Sequence, residues 1–230
     1  MERHIKHKRK KRLIRRILPP LITILLTAAI VFGGVKVCSL LFPDNRFSGY
    51  VPAAFGNRIS KNVKTAQGLE IPDWIDSQII DVHNTARTGA HLKDIKDIVI
   101  HYVGNPNTSA QNNRDYYNRL TTEVSSHFVI GLEGEIIQCI PLWEKSAASN
   151  HRNRDTISIE VCHPDKSGEF TTESYDSLIK LTSWLCNNFG LDEKDIIRHY
   201  DITKKICPKY YVENPDAWEK IKKDIKKELG

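Results

Sequence analysis

Two histidines and one cysteine stand where they could share a metal ion. His101 lies in the β-branched run Asp97–Val103. His199 closes a second run, Asp195–His199, and Cys207 follows after a seven-residue loop that carries Asp201 and Lys205. Two imidazoles and a thiolate suit Zn2+ and leave a fourth position for water. A zinc ion so held lowers the pKa of that water and polarises a carbonyl. Spacing alone leaves a plainer reading open, because a strand histidine is commonly a satisfied half-buried residue and a lone cysteine a small hydrophobe.

Glu160 adds to the set. It sits in Ile157-Ser158-Ile159-Glu160-Val161, where the three aliphatic residues share one face of a strand. Glu160 therefore shares the other face with Ser158 and Cys162. A solvent-facing acid and a general base beside a metal-bound water both fit that position. Lys205, two residues before Cys207, is either an ordinary loop lysine or a cation for a developing oxyanion. Asn105, Asn112, Asn113, His151 and Arg154 flank these residues. They either line a groove or cap turns; Asn105 and His151 are the substrate-binding candidates.

The elements that must hold these residues read as follows. Asp97–Val103 is a largely buried strand. Ser109–Leu120 is a helix capped by Thr108 or Ser109. Ser126–Leu132 and Glu135–Ile140 are strands joined by Glu133-Gly134, a two-residue hairpin signal. Thr156–Cys162 alternates as another strand, and Asp195–His199 is a short one. Glu173–Asn188 is a helix with Leu178, Leu181 and Leu185 on one stripe and Gly190 to close it. Asn214-Pro215 opens a last helix whose stripe is Trp218, Ile221, Ile225 and Leu229. Strands interleaved with helices, plus one hairpin, imply an α/β domain with a mixed central sheet flanked by helices. No repeat is visible, which excludes solenoids and propellers.

The chain has 230 residues, 40% of them apolar and 27% charged, enough for one ordinary domain and some extra length. Its net charge of +6 is unevenly spread: residues 1–16 carry nine Lys or Arg against one acid, a net +8, which leaves −2 for the other 214. A near-neutral body is not the footprint of nucleic-acid binding. Ile17–Val35 then runs nineteen residues without a charge, close to the length that spans a bilayer. The expectation is a basic cytoplasmic tail (1–16), a single-pass transmembrane helix (17–42), a flexible stalk (43–72) spanning roughly 30 Å, and a catalytic domain (73–230) outside the cytoplasmic membrane. A cleaved signal peptide, a lipid-modified Cys38 and a nucleic-acid-binding basic run are the competing readings. An extracytoplasmic place would permit a disulfide among Cys139, Cys162 and Cys186, with no pair singled out.

Four blocks, in order, carry a resemblance. They are Ile98–Pro106; Ser125–Gly131 followed by Gly134–Gln138; Ser158–Pro164; and Arg198–Pro208. Together they resemble the zinc N-acetylmuramoyl-L-alanine amidases of the peptidoglycan-recognition-protein fold, the type 2 amidases, over about residues 80–225. The resemblance implies hydrolysis of the amide between N-acetylmuramic acid and L-alanine in bacterial peptidoglycan, for wall remodelling or lysis. It implies Zn2+ on His101, His199 and Cys207, Glu160 as general base and Lys205 as stabiliser of the tetrahedral intermediate. Some members carry a catalytic tyrosine just before the histidine of the second block; here that place is Ser126, which points to the glutamate-using branch, with His127 structural. Peptidoglycan is the expected partner and a monomer the expected state. A non-catalytic peptidoglycan-binding module and a prophage-type lysis enzyme are the alternatives.

Overall fold

The computed structural model describes residues 59–82 and 85–230. The basic tail, the expected span with Cys38, and the first part of the expected stalk lie outside them. Among the described residues no helix is long and apolar enough to cross a membrane.

Among the described residues six strands form one mixed sheet: β1 (Asp76–Ser77), β2 (Asp97–Tyr102), β3 (Phe128–Ile130), β4 (Ile136–Gln138), β5 (Thr156–Val161) and β6 (Ile196–Arg198). Their order is β1-β4-β3-β5-β2-β6. Only β3 and β4 run antiparallel; β1 on β4, β3 on β5, β5 on β2 and β2 on β6 are parallel. The mixed α/β sheet expected from the sequence is present.

Side chains alternate across the pleat, so register decides what each face holds. Ile98, Ile100, Ile157, Ile159, Val161, Phe128, Ile130 and Ile136 belong to one buried cluster. Over them lie α3 (Thr172–Phe189), with Leu178, Leu181 and Leu185, and α6 (Pro215–Leu229), with Trp218, Ile221 and Ile225. Each such side chain contributes about 1.5–3 kcal/mol by leaving water. The Thr171 hydroxyl accepts from Ser174 N–H at the start of α3, and Gly190, at φ 65°, ends it in the left-handed region. The opposite face carries Val99, His101, Ser158, Glu160, Val129 and Ile137, residues paired across the strands in register. It is covered by α2 (Ala110–Tyr117), whose Ala110 and Tyr117 join Val129, Ile137, Cys139 and Cys162 in a second, smaller cluster.

Three expectations need correction. The stalk does not extend to residue 72. Lys61–Gly68 is a helix, α1, capped by the Ser60 hydroxyl, with Val63 and Ala66 buried in the main core and Asn62 donating to Ile95 O at 3.0 Å. Eight residues with two buried positions give too little periodicity to separate a short helix from a polar linker.

The hairpin loop has three residues, not two. Gly131 N–H donates to Glu135 O (2.8 Å) and Gly134 N–H returns to Gly131 O (3.2 Å), so Leu132–Gly134 form the loop. Gly134 sits at φ 83°, and a Cβ there would lie 2.8 Å from Glu173 O, so the three-residue loop depends on glycine.

The last short strand stops at Arg198, and His199 opens a one-turn helix, α4 (His199–Thr203). Three further elements carry no clear sequence signal: β1, a 3-10 turn (Asn150–Arg154) and α5 (Lys209–Glu213).

Candidate metal centre

The register of the sheet assembles the site. His101 and Glu160 are direct partners on β2 and β5, and Ile197, two residues before His199, pairs with Val99, two residues before His101. His101 thus stands near the end of β2, and His199 opens the helix that directly follows the adjacent strand β6. Cys207 returns beneath them, its backbone carbonyl held by Tyr200 N–H at 2.9 Å. One donor atom from each of His101, His199 and Cys207 lies within 4.8 Å of the others, and all three residues are buried.

The hydrogen bonds say which atoms face inward. His101 Nε2 meets Ser149 Oγ at 3.3 Å, and His199 Nε2 meets Asn150 Oδ1 at 2.8 Å. Each ring spends Nε2 outside the cluster and leaves Nδ1 for it. His101 Nδ1 is 3.8 Å from Cys207 Sγ and 3.9 Å from Glu160 Oε1. Burial holds the His101 pKa well below its ordinary value, with His199 and Lys205 adding to the effect, and lowers that of His199, with Lys205 again contributing. Neutral imidazole is the form that binds metal. Burial also pushes the Cys207 thiol up to about 12, Glu160 adding to the rise, against a pull from the Tyr102 amide and Lys205. A thiol so placed ionises when a cation sits beside it. Two inward imidazole nitrogens and one sulfur form a donor set that fits zinc.

Glu160 is the other unusual group. Its side chain is 17% exposed, yet Oε2 is buried without a hydrogen-bond partner. Burial raises its carboxyl to about 8, while Lys205 acts to lower it. Glu160, both histidines and the exposed Lys205 line one cavity of about 410 Å3. Its other wall is Asn113, Tyr116 and Tyr117 of α2, with Val124, Ala147 and Ala148.

The remaining expected residues fall elsewhere. Asn105 lines a neighbouring depression of about 650 Å3 with Thr108, Asn112 and Arg119, which shares Val103, Asn113 and Tyr116 with the cleft. His151 is exposed on the 3-10 turn and lines neither cavity. Its neighbours Ser149 and Asn150 are the ones that reach the centre, and no spacing rule could have found them. His127 is structural. Its Nδ1 accepts from Ser158 N–H (3.0 Å) and its Nε2–H donates to Glu144 O (2.9 Å). Ser126 points into the same buried knot, donating to Ser158 Oγ at 3.1 Å, away from the cleft. The four described cysteines, Cys139, Cys162, Cys186 and Cys207, are free.

Known proteins share this arrangement of chain. Amidase CwlL of Bacillus licheniformis, named an N-acetylmuramoyl-L-alanine amidase, is 30% identical over 168 residues, covering 66% of this chain and 46% of that protein. BlyA of Bacillus subtilis (strain 168), of the same name, is 32% identical over 172 residues with the same coverage, 66% and 46%. The chain thus spans somewhat less than half the length of these curated relatives. Among solved structures, a mutant endolysin from Bacillus subtilis aligns with a TM-score of 0.58 at 25% identity, covering 66% of this chain and 97% of that one. The structure of PlyL, at 21% identity and a TM-score of 0.59 over 66% of this chain and 96% of its own, has the same fold. The sequence model of N-acetylmuramoyl-L-alanine amidases matches residues 91–210, a span that holds His101, Glu160, His199, Lys205 and Cys207. With just over half of its length matched, the protein belongs to the N-acetylmuramoyl-L-alanine amidase family.

Proposed function

We propose that this chain hydrolyses the amide bond between N-acetylmuramic acid and L-alanine in peptidoglycan, with Zn2+ held by His101, His199 and Cys207. The observation that carries the reading is the convergence of two imidazoles, an unpartnered carboxyl oxygen and a lysine on one cavity, with a buried thiol clustered behind the two imidazoles. When bound, the zinc ion supplies Lewis acidity toward an amide carbonyl and toward water.

The protein's own groups do the rest. Glu160 Oε2, which has no partner in the fold, is free to take a proton from an attacking water. The same oxygen can then return that proton to the leaving nitrogen of L-alanine. Lys205 faces the same cavity from its rim and places a positive charge where negative charge develops on the carbonyl oxygen. The walls of α2 and of Ala147-Ala148 confine the substrate on either side. A peptidoglycan-binding module without catalysis would have no use for an unpaired buried carboxylate.

The proposal extends to location. The basic run and the apolar run at residues 1–42 support a cytoplasmic tail and a membrane anchor, with the amidase outside, next to its substrate. Fractionation of a carboxy-terminally tagged chain tests this; recovery of the body free in the medium would refute it.

For the activity, the full-length protein in detergent is assayed for zinc by elemental analysis and for cleavage of purified peptidoglycan. About one zinc per chain is expected, together with stem peptides bearing a new free L-alanine amine. Cys207→Ala is expected to lose both. Peptidoglycan binding with neither zinc nor cleavage would overturn the reading.

A further inference from the structure

The stretch Ser149–Arg154 is built with more care than a connecting loop requires. Asn153 Oδ1 accepts from Ala148 N–H (3.1 Å) and from Ser149 N–H (2.6 Å). Arg152 donates to Asp155 at 2.7 Å and also to Asp97, the first residue of the strand that ends near His101. Thr156, the first residue of the strand that carries Glu160, donates to Arg152 O at 2.9 Å. The turn is thereby tied to the two strands that hold the centre. Asn150 adopts φ 53°, in the left-handed region that asparagine tolerates better than most residues. The result is that two consecutive side chains, one fully buried and one exposed, meet the outer nitrogens of the two histidines.

We propose that Ser149 and Asn150 are the positioning residues of the metal centre, holding both imidazoles with the proton on Nε2 and Nδ1 turned toward Cys207. Asn150 Oδ1 has no proton to give, so the hydrogen bond at 2.8 Å requires the proton on His199 Nε2. Ser149 Oγ can accept as well as donate, so its contact with His101 Nε2 at 3.3 Å holds the ring in place and admits the same tautomer without imposing it. Without these acceptors each ring is free to flip or to exchange tautomers, and the lone pair needed for the metal is presented only part of the time. Outer hydrogen bonds of this kind are typically worth 10- to 100-fold in metal affinity. The inference rests on the zinc reading above and names the residues that set how tightly zinc is held.

The test uses the full-length protein and zinc alone, with affinity read by competition against a chromophoric chelator. Asn150→Gly removes the acceptor and relieves the backbone, and is expected to weaken zinc binding roughly 10-fold. Asn150→Asp restores an acceptor at the same reach and is expected to recover wild-type affinity or better. Ser149→Ala is expected to weaken binding by a similar factor. Co2+ substituted for zinc should show altered absorption in the two weakened variants and not in Asn150→Asp, and the melting temperature of the metal-free Asn150 variants should stay at the wild-type value. A merely structural turn would instead lower metal-free melting and leave the affinity of the folded protein unchanged. Zinc affinities of Asn150→Gly and Ser149→Ala both within twofold of wild type would overturn the inference alone. A wild-type chain that binds no zinc would overturn the proposed function, and this inference with it.

Discussion

The two faces of the central sheet come from alternating residues of the same strands, yet they obey different rules. On one face Ile98, Ile100, Ile157, Ile159, Phe128 and Ile130 meet the helices Thr172–Phe189 and Pro215–Leu229. Shape and volume suffice there, because aliphatic groups need no partners. On the other face His101, His127, Ser158 and Glu160 are buried or nearly so, and each polar atom must be satisfied or pay for its desolvation. His127, Ser126, Ser146 and Ser158 solve this by bonding to one another and to Glu144 O. Glu160 Oε2 is left open, while His101 Nδ1 faces Cys207 Sγ at 3.8 Å. Two hydroxyls on the helical side, of Thr182 and Ser183, and Nε2 of His163 also lack partners. A carboxylate oxygen costs far more to leave open than a hydroxyl, so Glu160 is where the openness calls for an occupant.

Adjacent residues on one strand give the sharpest way to break this contrast. Ile159 and Glu160 point to opposite faces of β5. Glu160→Ala is expected to lower peptidoglycan amide cleavage roughly 10²- to 10⁴-fold while zinc content and thermal stability are kept. Near-normal turnover would remove Glu160 as the base. Ile159→Ala is expected to do the reverse. A fully buried isoleucine cut to alanine costs about 2–5 kcal/mol of stability in denaturant titration, while the zinc affinity of the folded fraction is unchanged. If Ile159→Ala altered zinc affinity as much as stability, the two faces would not be separable.

The buried knot around His127 supplies the next test. Its imidazole is held neutral, with burial pushing the pKa down to about 4 against an opposing pull from Glu144. The unfolded chain takes up that proton near pH 6.5, so between about 6.5 and 4 the unfolded state binds more protons than the folded one. Stability therefore rises with pH through this window and is lost on acidification. His127 accounts for about 3 kcal/mol of that loss. His127→Gln is expected to flatten the difference in unfolding free energy between pH 6.5 and pH 4 by that order. An unchanged slope would mean that the ring is charged in the fold or that the knot opens early.

The contrast between faces also explains what the amino-acid sequence revealed. The apolar face was legible because its signals are periodic: Leu178, Leu181 and Leu185 on a helix, and Ile157, Ile159 and Val161 on a strand. The same alternation placed Glu160 on the face opposite those aliphatics, and the four-block resemblance singled out the metal donors. What stayed hidden lacks any period. Ser149 and Asn150 act from an irregular turn, and His151 drew attention one residue away from the effective positions. Lys61–Gly68 holds two buried side chains, too few to distinguish a helix from a polar tether. The wall of α2 was legible as a helix, but which of its residues face a cavity depends on packing that no local pattern encodes.

The smallest expected effect compares helix caps on the two faces. Ser109 caps α2 by accepting from Asn112 N–H at 3.1 Å, and Asn112 Oδ1 accepts from Ser109 N–H at 3.2 Å in return. Thr171 caps the long helix on the apolar face in the same way, accepting from Ser174 N–H at 3.1 Å. Replacing Ser109 with alanine removes one bonded acceptor from a helix start and is expected to cost about 1 kcal/mol; Thr171→Ala also removes the hydroxyl's bond to Leu132 O at 2.7 Å and is expected to cost more. The functional consequences should differ. The helix behind Ser109 carries Asn113, Tyr116 and Tyr117, which line the cleft, whereas the helix behind Thr171 lines no part of it. Ser109→Ala is therefore expected to raise KM for peptidoglycan fragments severalfold with kcat nearly kept, because the cleft wall frays while Glu160 and the metal donors stay in place. Thr171→Ala, although the more destabilised of the two, is expected to leave both constants unchanged at temperatures well below melting. If both variants changed KM alike, stability rather than the position of the cleft wall would be setting substrate binding, and the division of labour between the faces would not extend to the helices that cover them.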